Sequence, residues 1–293
     1  MKSILIKVFI LLVFWGNISC KEVSDNPVAE TEIIPADFSQ RTYKIYIPES
    51  INTHEYVSLV FVFHGAFGNG AGMERGTGFN QLAENHKFIV CYPDAATENW
   101  EEGCMCNKPY RLGIDDIGFV NFLIDKLSTL YKIDSKKIYA AGYSQGGLFA
   151  QNVACKLSGK FAAVAAVASS MSVQLFESCK PENKISLLII HGTEDNTLPF
   201  NGLESGSFSL VSSPSAFKLW GNINGCNSEE KAEILPDKGD PYISVIKRYY
   251  ENCTGNIKTI LYEVKGGGHS WFTSPDINAT QTIVDFFMSS PTK

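Results

Sequence analysis

Lys137-Ile138-Tyr139-Ala140-Ala141-Gly142-Tyr143-Ser144-Gln145-Gly146-Gly147 reads as a strand that runs into a sharp turn and opens a helix. The strand is Lys137–Ala141, and the helix is expected over Gln145–Leu157. Between them lies G-x-S-x-G, whose serine must stand proud of the strand's end. The flanking glycines relieve the crowding that a Cβ would create in so tight a reversal. Gly147 allows the helix to pack closely. Glycine and serine meet at this spacing by chance in many chains, so the strand-turn-helix setting gives the motif its weight.

Working outward, the same rhythm recurs. Thr42–Ile47 alternates as a strand. Val57–Phe63 is an almost continuous apolar run ending in His64-Gly65, suited to a strand buried on both faces. Phe88–Tyr92 is a third strand, stopped by Pro93. Asp115-Asp116 precede apolar residues at helical spacing, Ile117 to Leu130, with an Asp as N-cap. Phe161–Ala168 and Ile185–Ile190 are further buried strands. Pro214–Ile223 reads as a helix with Ser213 as N-cap, Thr259–Val264 as a late strand and Thr280–Phe287 as a closing helix. Alternating strands and helices predict an α/β fold, a mostly parallel central sheet with helices on both faces. Apart from the Pro214 helix, residues 204–240 are the least regular and are expected to carry the rim of a pocket.

Composition narrows the class. The chain has 293 residues, with 25 Lys plus Arg against 31 Asp plus Glu, a formal charge of −6. Hydrophobic residues make up 44% and charged residues 19%, which excludes bulk disorder. An acidic chain without basic runs excludes nucleic acid as an expected partner. The one long apolar run is N-terminal, so a multi-span membrane protein is excluded.

A serine hydroxyl needs a base to act as a nucleophile near neutral pH. Of five histidines, His54 and His86 lie in polar connecting segments. His64 and His191 each end a buried strand, precede glycine and read as turn formers. His269, in Gly266-Gly267-Gly268-His269-Ser270-Trp271, follows a late strand on a loop that can carry imidazole over the sheet's C-terminal edge. A carboxylate must fix its tautomer. His191-Gly192-Thr193-Glu194-Asp195 offers two, and Asp195 is preferred on its spacing before Pro199, with Glu194 the alternative. The tetrahedral anion of acyl transfer needs preset N–H donors. The backbone of Gln145 is one and that of Ala66, in the loop His64–Gly70, the other. In the order Ser144, Asp195, His269, these elements imply a serine hydrolase that requires no metal or cofactor. Phe67, Trp100 and Trp271 are candidate walls of an aromatic-tolerant substrate pocket, and ordinary packing is an equal reading of each.

Residues 1–20, MKSILIKVFILLVFWGNISC, pair a basic start with a short apolar core. That is an export signal rather than a comfortable membrane span. Its end resembles a lipobox in which Cys20 is lipidated, although Asn17 stands where Leu is usual. Ordinary cleavage and a buried N-terminal helix are the alternatives. Residues 21–38 read as a flexible tether and 39–293 as one domain. Export implies an oxidising compartment, cell envelope or beyond. Of the eight cysteines, Cys155 is expected to pair with Cys179 and Cys226 with Cys253, with Cys104 and Cys106 open. Cys104-Met105-Cys106 lacks the spacing of a zinc knuckle, so no metal site is expected.

These pieces together resemble a known family. Arg41-Thr42-Tyr43 with Pro48, His64-Gly65, Tyr92-Pro93-Asp94, Asp115–Phe119, Ile133-Asp134, Gly142–Gly147, Phe161–Ala165, His191–Asp195, Asn224-Gly225-Cys226, Cys253 and Gly267–Trp271 are similar to the polyhydroxybutyrate-depolymerase-like and feruloyl-esterase-like branch of the α/β-hydrolases. The order Ser, Asp, His is that superfamily's order. The resemblance runs from about residue 40 to the end. It implies the α/β-hydrolase fold, Ser144, Asp195 and His269 as nucleophile, acid and base, and the Cys226–Cys253 bridge. It also implies a secreted or lipid-anchored esterase acting on feruloyl or acetyl esters of plant polysaccharide, or on hydroxyalkanoate oligomers. No polymer-binding module is expected beside the domain, so attack on a crystalline polyester is disfavoured. Asp115-Asp116 read as helix cap and brace. The reading from a different class is a surface binding protein that kept the fold and lost catalysis.

Overall fold

The computed structural model describes residues 37–52, 55–206 and 208–292. The expected export signal, Cys20 and all but the last two residues of the expected tether lie outside the described residues. Strands β1 (Tyr43–Tyr46) and β2 (Val57–Phe63) are followed by helices α1 (Gly70–Thr77) and α2 (Phe79–His86), then β3 (Phe88–Pro93). Next come α3 (Lys108–Arg111), α4 (Asp116–Leu130), β4 (Ile133–Tyr143) and α5 (Gln145–Lys156). The short β6 (Met171–Ser172) and α6 (Val173–Ser178) separate β5 (Ala163–Val167) from β7 (Ser186–Gly192). After β8 (Leu210–Val211) and α7 (Ser213–Ile223) the chain ends with β9 (Lys231–Ile234), β10 (Ser244–Tyr249), β11 (Thr259–Lys265) and α8 (Ala279–Ser289).

Nine strands form one sheet in the order β1-β3-β2-β4-β5-β7-β11-β10-β9. The six from β3 to β11 are parallel, and β1, β10 and β9 add antiparallel edges. The central strands are apolar throughout because both faces are covered. Phe119, Leu123, Phe149 and Trp220 from α4, α5 and α7 pack on one face. Phe79, Ala83, Ile283 and Phe287 from α2 and α8 pack on the other. Parallel strands send all their C-terminal ends to one edge, and the loops that leave β2, β4, β7 and β11 meet there.

The sequence reading departs from the fold where local signals are weak. Helix α1 contains Gly70, Gly72 and Gly76, each unfavourable in a helix. It forms because Asn69 caps it, accepting from Gly72 N–H at 2.8 Å, and because Met73 is buried. His86 accordingly ends α2 rather than lying in a connector. Within the stretch read as irregular, β9 is exposed along its whole length. It is held by its ladder to β10 and by Lys247–Glu233 and Arg248–Glu230 ion pairs, not by an apolar face. Helix α7 starts one residue early. Ser212, not Ser213, is its N-cap, accepting from Ser215 N–H at 3.2 Å, which frees Ser213 for another partner.

Candidate active site

Strand β4 delivers Ser144 at φ 55° and ψ −122°, a left-handed conformation that a non-glycine residue adopts only under restraint. The restraint comes from both sides. Ser144 N–H donates to Val167 O on β5 at 2.9 Å. A Cβ on Gly146 would lie 2.3 Å from His64 O, so only glycine lets α5 start against the end of β2.

Gly192, at the end of β7, meets the β11 loop as closely. A Cβ there would lie 2.1 Å from Gly267 O. Glu194 N–H donates to Gly267 O at 2.9 Å, and the Glu194 side chain is exposed. This contact brings His269 between two loops distant in sequence. His269 Nε2 is 2.8 Å from Ser144 Oγ, and Nδ1 is 2.7 Å from Asp195 Oδ2. With Nδ1–H on the carboxylate, Nε2 is free to accept the serine proton. Tyr143 braces the loop, donating its hydroxyl to His269 O at 3.2 Å.

Asp195 is buried, which works against its charge, but four N–H donors outweigh that cost. His191 and His269 donate to Oδ2, and Leu198 and Thr197 backbone N–H groups to Oδ1 at 2.9 and 2.8 Å. Together they hold the carboxyl well below the usual carboxylate range. His191 was read from the sequence as a turn former. It also contacts Asp195, and its i, i+4 spacing in His191–Asp195 was the signal available.

The loop after β2 lies against the serine. A Cβ on Gly65 would be 3.2 Å from Ser144 Cβ. His64 is buried, which lowers its pKa. Its Nε2 accepts from Ala95 N–H at 3.0 Å, so Nδ1 carries the proton and donates to Gly65 O at 2.8 Å. Phe67 N–H donates to Glu98 O at 2.8 Å. Ala66 thus sits in a loop pinned on both sides. Gln145 is the first residue of α5, where backbone N–H groups have no intrahelical partner.

Residues 41–179 match the family model described as Esterase PHB depolymerase. Feruloyl esterase B from Piromyces equi is 27% identical over 237 residues, spanning 77% of this chain. The chain spans 42% of that relative's length. The solved acetyl xylan esterase from Aspergillus awamori superposes with a TM-score of 0.60 at 17% identity, over 86% of this chain and 97% of that one. A ferulic acid esterase from Anaeromyces mucronatus gives 0.54 at 15% identity, over 85% of each. This chain has the α/β-hydrolase fold. These relatives and superposed structures are named as esterases.

Of the three aromatic residues expected at the pocket, two reach the surface near the site. Phe67 is 82% exposed at φ 59°. Trp271 is half-buried, packs on Phe79 and Tyr143, and donates Nε1–H to Thr280 Oγ1 at 2.9 Å. For Trp100 the packing reading holds and the substrate-wall reading is corrected. It is fully buried, stacked on Phe149 with centroids 4.7 Å apart, and its Nε1–H donates to His64 O at 3.0 Å. An indole so enclosed contacts no substrate and instead stiffens the His64 loop.

The segment around Trp100 also grips Gln145, whose side chain accepts from Trp100 N–H and donates to Trp100 O at 2.9 and 2.7 Å. Gln145 Nε2 lies 3.2 Å from Glu102 Oε2, which Asn107 also contacts. Glu102 is buried, and this, with the nearby charge of Glu101, pushes its carboxyl up to about 8. Below the segment, Arg41 pairs with Asp116 at 2.6 Å and Asp116 accepts from Glu101 N–H at 2.7 Å, while Asp115 caps α4. Asp94 accepts from Gly70 N–H and from the Thr42 hydroxyl, each at 2.7 Å, so the family-like Arg41, Asp94 and Asp115-Asp116 are braces.

Cys155 is bonded to Cys179, Cys226 to Cys253, and Cys104 to Cys106. Cys91 is a free, buried thiol. Glu102, Cys104 and Cys106 cluster as metal-type ligands, but bonded sulfurs offer no thiolate. Three disulfides suit an oxidising compartment.

Proposed function

We propose that the protein is an exported serine esterase that cleaves feruloyl or acetyl groups from plant polysaccharide. The observation that carries this reading is the unbroken hydrogen-bonded line Ser144–His269–Asp195 at a strained elbow. Ser144 Oγ attacks the ester carbonyl while His269 Nε2 takes its proton. The oxyanion is met by the N–H groups of Gln145 and Ala66. The imidazolium, steadied by Asp195, gives its proton to the leaving alcohol. Water activated by the same imidazole then releases the acid. Phe67 and Trp271 flank the acyl group, and the named activities of the relatives support an aromatic or acetyl acyl group. Cys20 carries a lipid that tethers the enzyme to the cell envelope, where it meets diffusing oligomers.

A second reading, hydrolysis of poly(3-hydroxybutyrate)-type oligomers, is favoured by the family match over residues 41–179. One panel separates them. Purified residues 21–293 are given acetylated xylan, a feruloylated arabino-oligosaccharide and a hydroxybutyrate trimer, with Ser144→Ala as control. Release from a sugar ester, lost by roughly 10⁶-fold in Ser144→Ala, supports the first reading. Preference for the trimer moves the enzyme to polyester metabolism. Inertness towards all three and towards a serine-directed phosphonate leaves only a binding protein.

A further inference from the structure

We infer that His191 is a positioning residue for Asp195, and that Ser213 fixes the tautomer in which it acts. The inference rests on the Ser144–His269–Asp195 reading. His191 is fully buried at the end of β7. Its Nε2 faces two acceptors, Asp195 Oδ2 at 3.1 Å and Leu198 O at 2.9 Å, so this nitrogen carries the proton. Its Nδ1 then has a lone pair, which meets Ser213 Oγ at 2.5 Å, and the hydroxyl donates to it. Ser213 is also fully buried and free for this contact because Ser212 takes the cap of α7.

The consequence is a second imidazole on the oxygen that accepts from His269. Asp195 Oδ2 receives His269 from one side and His191 from the other. A carboxylate shared in this way is fixed in orientation by a group outside the reacting line. It is also a weaker acceptor towards His269 than an unshared one would be. His191 therefore sets both where Asp195 points and how strongly it draws on the catalytic imidazole. Titratable groups face this couple from several elements. His269 comes from the β11 loop. Tyr143 on β4 holds a ring 5.2 Å from that of His269. Glu263, the β11 register neighbour of His191, is neutralised by Arg248 and Lys265. Phe200 closes the remaining side with an edge-on ring.

The test uses the purified protein and p-nitrophenyl acetate, with kcat and KM measured across pH for wild type, Ser213→Ala, His191→Gln and His191→Leu. Gln keeps an N–H within reach of Asp195, whereas Leu does not. Loss of one hydrogen bond to a charged group predicts a fall in kcat of about 10- to 100-fold for His191→Leu, with KM little changed. The acid limb of kcat/KM should move to higher pH, because Asp195 then draws harder on the imidazole proton. His191→Gln should recover most of kcat, and Ser213→Ala should fall between Gln and Leu. An active wild type whose variants keep its kcat and acid limb overturns the inference. So does a Gln variant no better than Leu. If Leu fails to fold, Ser213→Ala with wild-type kcat and acid limb overturns it alone. A wild type without hydrolysis that Ser144→Ala abolishes overturns the esterase reading itself.

Discussion

Asp195 gathers more hydrogen bonds than any other side chain near the serine, and the kind of donor matters more than the number. Every donor is an N–H, so the site is built for a carboxylate and not for its amide. Asp195→Asn would present either an NH2 to one of these donors or a weaker oxygen to His269, which then settles in the wrong tautomer. The expected outcome is a drop in kcat of about 10⁴-fold with the fold intact, read by ester hydrolysis and near-UV circular dichroism. A loss below tenfold would remove Asp195 from the catalytic line. The sequence offered Asp195 and Glu194 one residue apart. What separates them is that the turn after β7 buries one and exposes the other.

At the scale of elements, the segment from Asp94 to Asn107 has little regular structure, yet the Ala66 loop and the start of α5, proposed to face the oxyanion, both lean on it. It receives His64 and Phe67 from one side and Gln145 from the other. Its buried Glu102 gives a pH signature. The carboxyl sits near 8 in the fold against an ordinary 4.5, so between those values the folded protein holds a proton that the unfolded chain releases. Stability from this group is complete below about pH 4.5 and is lost as pH rises towards 8, at up to ~1.4 kcal/mol per pH unit. Glu102→Gln cannot ionise and keeps an acceptor for Asn107 and Gln145. Its urea midpoint should rise relative to wild type as pH goes from 5 to 8. A constant difference across that range would show that Glu102 ionises freely. Little of this is legible in the sequence, since Trp100 and Glu102 in a polar stretch carry no periodicity and Trp100 reads equally as a substrate wall and as packing.

Across the whole molecule, the sheet's far edge is its least buried part. β9 is exposed throughout, and β10 has a single buried residue. The Cys226–Cys253 bond, 27 residues apart, closes the loop that contains both strands, joining the end of α7 to the approach to β11. That loop is equivalent to about 3–4 kcal/mol of unfolded-state entropy. Replacing both cysteines by alanine should lower Tm by roughly 10 °C and leave kcat within a few fold, because β9 and β10 lie outside the catalytic line. An unchanged Tm would mean that strand pairing alone holds the edge. Cys155–Cys179, between α5 and α6, lies nearer the serine helix and does not share this separation of stability from rate.

The sequence by itself determined the parallel core, the serine elbow and the three residues, Ser144, Asp195 and His269, that the fold brings into one hydrogen-bonded line. Those features are written in local chemistry: apolar runs of strand length, glycines where a Cβ cannot fit, and a histidine after a late strand. The tertiary structure alone decided which groups face one another across the sheet's edge. Gly192 against Gly267 sets His269 on Asp195, the early start of α7 releases Ser213 to His191, and Trp100 turns inward onto Phe149. Each of these depends on a distance between residues far apart in the chain, and a distance of that kind leaves no mark on local pattern.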